Sequence, residues 1–186
     1  MSENDLIVAI ATPYGKSGVG IVRLSGEGCL ALAKKMFRPF DKKCDFTPNK
    51  MYLGEIDLGE VKDKGFVVFF QSPHSFTGED IVEFQCHGGI MVTQKIVDMC
   101  LTKGARMAEP GEFSKRAFLN GKMSLDEAEG VADLINAESE SEMRCSTALA
   151  RGELNKTVTN IQDKLSDIVC EMQAYMDYPE EHIEEK

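Results

Sequence analysis

Short apolar runs and alternating runs divide the first two thirds of the chain. Residues 6–12 (Leu-Ile-Val-Ala-Ile-Ala-Thr) are almost wholly apolar and rich in β-branched side chains, which predicts a buried strand. A loop from Pro13 to Gly18 leads to a second strand over 19–24, which Ser25-Gly26 ends. Leu30, Ala33, Lys34 and Phe37 have the spacing of an amphipathic helix over about 27–37. Residues 38–50 carry Pro39, Pro48 and several charges and read as a connection. Residues 51–57 and 65–70 read as two strands joined by a polar turn. Residues 80–86 alternate apolar and polar, the pattern of a half-buried strand. Gly88-Gly89 opens a helix at about 90–103, with Ile90, Val92, Ile96, Val97 and Met99 available for its core face. Pro110-Gly111 turns the chain into a short helix near 112–119, and Asn120-Gly121 stops it.

The pattern changes at Ser124. Ser124 with Glu127 three residues on is a capping-box signature, and everything after it reads as helix. Leu154, Val158, Ile161, Leu165, Ile168, Met172 and Tyr175 are spaced alternately four and three apart. Such a seam wants a partner helix. Tyr178-Pro179 is expected to end it. The expected fold is α+β: a mixed sheet with packed helices over 1–123, then an all-helical segment over 124–186. The seam points to the start of a helical domain whose remainder is missing, against the alternative of a self-contained helical hairpin.

Charge sharpens this division. Of 186 residues, 42% are hydrophobic and 28% charged, which is ordinary globular composition and argues against collagen-like or disordered chains. Residues 1–123 hold 16 basic and 15 acidic side chains; residues 124–186 hold 5 and 16. The second part is a poor ligand for a phosphate backbone, because such binding relies on Lys and Arg displacing counterions. Any action on RNA would draw positive charge from another surface or a partner. No apolar run approaches the roughly 18 residues that span a membrane, and the acidic start Met1-Ser2-Glu3-Asn4-Asp5 lacks a signal peptide's basic flank. Cysteines stand at 29, 44, 86, 100, 145 and 170 without CxxC spacing, so they read as mostly buried, reduced thiols of a cytosolic protein.

Several motifs fail on inspection. Gly15-Lys16-Ser17 resembles the end of a phosphate-binding loop, but position 10 is Ile where that loop needs glycine. Gly18-x-Gly20 lacks the third glycine of a dinucleotide fingerprint, since position 23 is Arg. Cys86-His87 has no further ligand at zinc spacing. His87-Gly88-Gly89 ahead of a helix is either an anion site or a tight strand-to-helix turn. Glu83 points to the face opposite Val82 and Phe84, toward solvent or a pocket, and Arg23 holds a similar place late in the second strand. Glu112, Lys115, Arg116 and Lys122 crowd one segment. A carboxylate with several cations suits a ligand carrying donors at one end and carboxylates at the other.

A set of longer runs carries a resemblance. These are Ile7-Val8-Ala9-Ile10-Ala11-Thr12-Pro13, Gly18 to Gly26, Ser75-Phe76-Thr77-Gly78-Glu79-Asp80, His87-Gly88-Gly89, Pro110-Gly111-Glu112-Phe113, Arg116 to Lys122, Glu127-Ala128-Glu129, Ala132-Asp133-Leu134-Ile135 and Asp177-Tyr178-Pro179-Glu180-Glu181. In order and spacing the sequence resembles the MnmE (TrmE) family of tRNA-modification GTPases. The chain departs from the family pattern at Pro13-Tyr14-Gly15-Lys16-Ser17-Gly18, usually Pro-Pro-Gly-Arg-Gly-Gly, and at Cys86, usually Gly.

The resemblance implies an N-terminal domain, 1–123, that binds formyl-tetrahydrofolate and forms a homodimer, and the first part of a helical domain, 124–186. The family's G domain, with its GTP, magnesium and potassium, and its terminal cysteine motif have no counterpart here. The chain is therefore expected to be a fragment truncated before the G domain and not catalytic by itself. The family acts in the cytoplasm with the FAD-dependent MnmG (GidA) on the wobble uridine of certain tRNAs, installing an aminomethyl or carboxymethylaminomethyl group. The folate contacts it implies are Arg23, Glu83 and Lys122, with no catalytic and no metal residue. Two other readings compete: a stand-alone folate-dependent enzyme like an aminomethyltransferase, and a dimerisation module that no longer binds folate.

Overall fold

A computed structural model describes residues 5–177 of the chain. They form two compact units that divide between Lys122 and Met123. The first contains β1 (Ile7–Ile10), β2 (Gly20–Ser25), α1 (Cys29–Met36), β3 (Phe37–Pro39), β4 (Met51–Asp57), β5 (Lys62–Phe70), β6 (Ile81–Cys86), α2 (Ile90–Thr102), β7 (Arg106–Met107) and α3 (Glu112–Leu119). The strands make one sheet in the order β3-β4-β5-β6-β2-β1-β7. Neighbours run antiparallel except β1 and β7, which are parallel. This is the mixed sheet with packed helices, followed by helices, that the pattern predicts.

Strand alternation sorts the side chains to two faces. Val8, Val22, Leu24, Val67, Phe69, Val82 and Phe84 share one face with Leu32, Ala33 and Met36 of α1 and Ile96, Val97 and Cys100 of α2. That layer is the apolar core. Ile7, Arg23, Ser25, Ile81 and Glu83 lie on the other face by the same alternation. There the expectation for β6 needs correction. Ile81, Val82, Glu83 and Phe84 are all buried, so the strand is covered on both sides rather than half-buried. Its alternation marks two kinds of burial, wholly apolar on one side and mixed on the other, where Ile81 adjoins the ion-paired Glu83.

Two strands escape the sequence pattern. β3 takes Phe37, expected at the end of the first helix, together with Arg38 and Pro39 of the segment read as a connection, and β7 has only two residues. Their pairing comes from distant chain: Phe37 faces Ile56, and Arg106 faces Ile7. β5 also starts at Lys62 rather than 65, because the polar residues 62–64 pair with 55–57 across the hairpin. Lys62 and Glu55 close that end with an ion pair of 2.9 Å.

The second unit is α4 (Leu125–Asn136), α5 (Glu140–Ala150) and α6 (Glu153–Asp177). The capping box is formed: Ser124 Oγ accepts from the Glu127 amide at 3.3 Å, and the Ser124 amide donates to the Glu127 carboxylate at 2.7 Å. α4 and α5 pack closely at Gly130, where a Cβ would lie 2.4 Å from the Ala150 nitrogen. The α6 seam is spaced as expected, yet no α6 side chain is buried. The anticipated stop at Tyr178-Pro179 lies outside the described residues. No described helix is long and apolar enough to cross a membrane.

Candidate functional site

β2 and β6 are adjacent, and their register sets Arg23 directly opposite Glu83. The strand faces that put Val22 and Phe84 into the core therefore put these two charges side by side on the second face. Arg23 donates from Nε to Glu83 Oε1 at 2.8 Å, and Nη2 lies 2.7 Å from the same oxygen. The Glu83 side chain is 11% exposed and that of Arg23 is 28% exposed. Two rings lie over the guanidinium, Phe76 at 5.5 Å and Phe113 at 5.7 Å from their centroids. Phe76 comes from the 72–80 loop and Phe113 from α3. A carboxylate, a guanidinium and two aromatic rings form a set that can hold a flat heterocycle with a polar edge.

Lys122 stands differently. It follows α3, and its Nζ donates to the Pro73 carbonyl at 3.0 Å. Its aliphatic stem lies against Gly78. Lys122 thus meets the loop that carries Phe76, whereas Arg23 and Glu83 meet each other. Glu112, from the crowded segment, bonds to neither the pair nor that loop, and Arg116 reaches the loop only at Glu79.

Glu112 and Arg116 join a network whose other members the sequence pattern does not reveal. Arg116, 6% exposed, donates to the Asp5 carbonyl at 2.8 Å and to the carboxylates of Asp5 at 2.7 Å, Glu79 at 3.1 Å and Glu112 at 3.1 Å. Arg106 forks onto Glu112 at 2.6 and 2.8 Å and also pairs with Asp5. Ser25 donates to Glu79 at 2.7 Å and shares a 2.7 Å hydrogen bond with Thr77. Arg106 and the Glu109 amide hold the Glu112 carboxyl down to about 2 against the opposing effect of burial. Arg106, and with it Arg116, also lowers the Asp5 carboxyl. Burial pulls the Arg116 guanidinium down, but its pairing with Glu79, Glu112 and Asp5 outweighs that and raises it. These groups come from residues up to 111 apart in sequence, so no local spacing announces them.

The His87-Gly88-Gly89 segment resolves as a packed turn. The Ser17 amide donates to the Gly88 carbonyl at 3.0 Å. A Cβ on Gly88 would fall 2.0 Å from Ser17 Oγ, so glycine is what lets the two loops meet. The cavity beside it is about 10 Å³, room for little beyond one water. His87 itself pairs with Asp63 at 2.6 Å. Among the described residues no three His, Cys, Asp or Glu side chains gather as a metal site. The cysteines are less uniformly buried than expected: Cys29, Cys86 and Cys100 are buried and Cys44 is intermediate, but Cys145 and Cys170 are exposed. All six are free thiols.

The second face continues past the ion pair. Register links Arg23 to Glu83, Glu83 to Val68, and Val68 to Met51. The next row is Ile21, Gln85, Phe66 and Leu53. Met51, Leu53 and Phe66 are 51%, 38% and 39% exposed, so an open apolar strip adjoins the charged pair.

Comparison with known proteins gives this geometry a context. The pattern of the family described as "GTP-binding protein TrmE N-terminus" matches residues 6–122, and that described as "MnmE helical domain" matches 125–186. Proteins named tRNA modification GTPase MnmE are similar to the chain. That of Thermotoga maritima is 47% identical over 178 residues, and that of Aquifex aeolicus 43% identical over 179; each alignment covers 95% of this chain and 39% of the relative. That of Acetivibrio thermocellus is 39% identical over 191 residues, covering the whole chain and 41% of the relative. The chain thus spans about two fifths of the length of these relatives. With both family patterns matched in order along it, the chain belongs to the MnmE (TrmE) family of tRNA-modification GTPases.

Proposed function

We propose that the chain provides the folate-binding and dimer-forming part of a tRNA-modification GTPase. Its ligand is formyl-tetrahydrofolate, the one-carbon donor for aminomethyl or carboxymethylaminomethyl modification of wobble uridine. The observation that carries this reading is the Arg23–Glu83 pair beneath Phe76 and Phe113. The donor set fits the ligand. A pterin presents an amino group and a ring N–H side by side, which one carboxylate accepts together. Glu83 would orient that edge, and the phenylalanine rings would pack on the flat heterocycle. Arg23 or Lys122 would meet the ring carbonyl, the formyl oxygen or the glutamate-tail carboxylates.

In this reading the chain's residues bind and orient. The folate supplies the one-carbon unit when bound, and the chemistry proceeds with the flavin of the MnmG partner, tRNA being held by the complex in the cytoplasm. In this reading GTP, magnesium and potassium would be bound by residues other than those of this chain. The open strip of Met51, Leu53 and Phe66 is the face a second copy would cover, since contiguous exposed apolar surface marks an interaction site.

Calorimetric titration of formyl-tetrahydrofolate into the chain, with its mass in solution measured alongside, tests this. The expected result is a dimer binding one folate per chain. Glu83→Gln should weaken binding about 10- to 100-fold, the loss of charge-assisted hydrogen bonds worth about 1.5–3 kcal/mol. A folded dimer that binds no folate would select the dimerisation-only reading. Folate binding with aminomethyl transfer by the chain alone would select the stand-alone transferase.

A further inference from the structure

The charged network around Arg116 lies beside the Arg23–Glu83 pair and contributes nothing to it directly. Its members do share one property: they tie down the two segments that carry the aromatic rings. Phe76 sits in the 72–80 loop, Phe113 on α3. Arg116, also on α3, reaches Glu79 at the end of that loop at 3.1 Å. Glu79 in turn accepts from Ser25, two residues beyond Arg23 on β2, at 2.7 Å. Ser25 shares its hydrogen bond with Thr77, next to Phe76. Asn120, at the end of α3, donates to the Thr77 carbonyl at 2.7 Å. Arg116 further grips Asp5 and Glu112, which Arg106 of β7 holds from the other side. The loop, the helix and the sheet edge therefore converge on one buried guanidinium.

We propose that Arg116 is a positioning residue: by holding Glu79 and α3 to the sheet, it sets Phe76 and Phe113 over Arg23 and so shapes the proposed folate site. The proposal rests on the folate reading for its ligand, but not for its geometry. A guanidinium suits the task because its planar fork meets several carboxylates at fixed angles, which a lysine ammonium does not. Two rings from separate segments keep their places over Arg23 only if both segments are fixed, and a preorganised site binds better than one ordered by its ligand.

The test uses the whole chain and two readouts. The first is the affinity for formyl-tetrahydrofolate by calorimetry. The second is the NMR resonance of the Arg23 Nε–H, which the rings of Phe76 and Phe113 shift by their ring currents. Arg116→Met should weaken binding at least tenfold and move that resonance toward its unshifted position. Arg116→Lys, which keeps the charge, should recover part of the affinity. Ile96→Ala, in the core on the other face, should lower the melting temperature comparably while leaving both readouts near wild type. Should Arg116→Met not fold, Glu79→Gln leaves Arg116 paired with Asp5 and Glu112 and weakens the bonds that tie the loop to Arg116 and Ser25, with the same two effects expected. An unmoved Arg23 resonance and unchanged affinity in a folded variant would overturn the proposal. So would an Ile96→Ala variant that loses as much affinity. If the wild-type chain binds no folate, the functional reading fails, and the resonance alone still decides whether Arg116 sets the rings.

Discussion

On the face covered by α1 and α2, Leu24, Val82 and Phe84 are fully buried among aliphatic side chains. On the opposite face the same two strands present Arg23, Ser25 and Glu83, and each of these polar groups is met by another. No described buried side-chain nitrogen or oxygen is left without a hydrogen-bond partner. The first face needs only volume and apolarity, so its energy comes from area removed from water. The second face needs geometry, because a buried charge is tolerated only when its partners are in place. One face holds the unit together. The other is costly to assemble and chemically selective, and under the proposed function it is where a polar ligand would find complementary groups already fixed.

The largest effect should come from emptying the apolar face. Phe84→Ala should destabilise the first unit by about 3–5 kcal/mol, read from denaturant midpoints, because it removes a fully buried ring from the centre of the sheet. A loss under about 1 kcal/mol would mean the core collapses to refill the space, and the contrast between the faces would weaken.

Glu112→Gln should cost less, about 2 kcal/mol, by weakening charge-assisted hydrogen bonds to Arg106 and Arg116. It should also change the response to acid. The Glu112 carboxyl titrates near 2 in the folded chain and near its ordinary value of about 4.3 when unfolded. Its contribution is complete above about 4.3 and is lost as the pH falls toward 2. Stability measured from pH 5 to 2 should therefore fall more steeply in the wild type than in Glu112→Gln, with the two converging at the acid end. Parallel curves would place Glu112 outside the stabilising network.

The smallest effect on stability should come from the open strip. Phe66→Lys changes a side chain that is 39% exposed, and it should leave the unit within about 0.5 kcal/mol of wild type. It should instead shift the mass in solution from dimer to monomer. A Phe66→Lys chain that stays dimeric would separate the open strip from self-association.

Much of the fold is legible in the sequence because it depends on local periodicity. The apolar run at 6–12, the alternation at 80–86 and the Ser124–Glu127 box each encode an element within a few residues, and each element forms there. Alternation also separates Glu83 from Val82 and Phe84. It does not say what Glu83 meets. β3 and β7 are too short to show a period, and they exist because Ile56 and Ile7 offer backbone partners.

The candidate site divides along the same line. Arg23 and Glu83 enter through family resemblance, and each shows only its strand face in the local pattern. Their contact spans 60 residues and arises because β6 lies between β5 and β2 in the sheet. Asp5, Glu79 and Arg106 leave no trace in the spacing, since each acts through a partner on a different element. The sequence by itself determined the longer elements, the Ser124–Glu127 cap, the two-part division of charge and which residues share a strand face. Only the tertiary structure decided the register, and with it which charges neutralise one another, because periodicity and capping are set within a turn or two of chain while an ion pair exists only where distant segments meet.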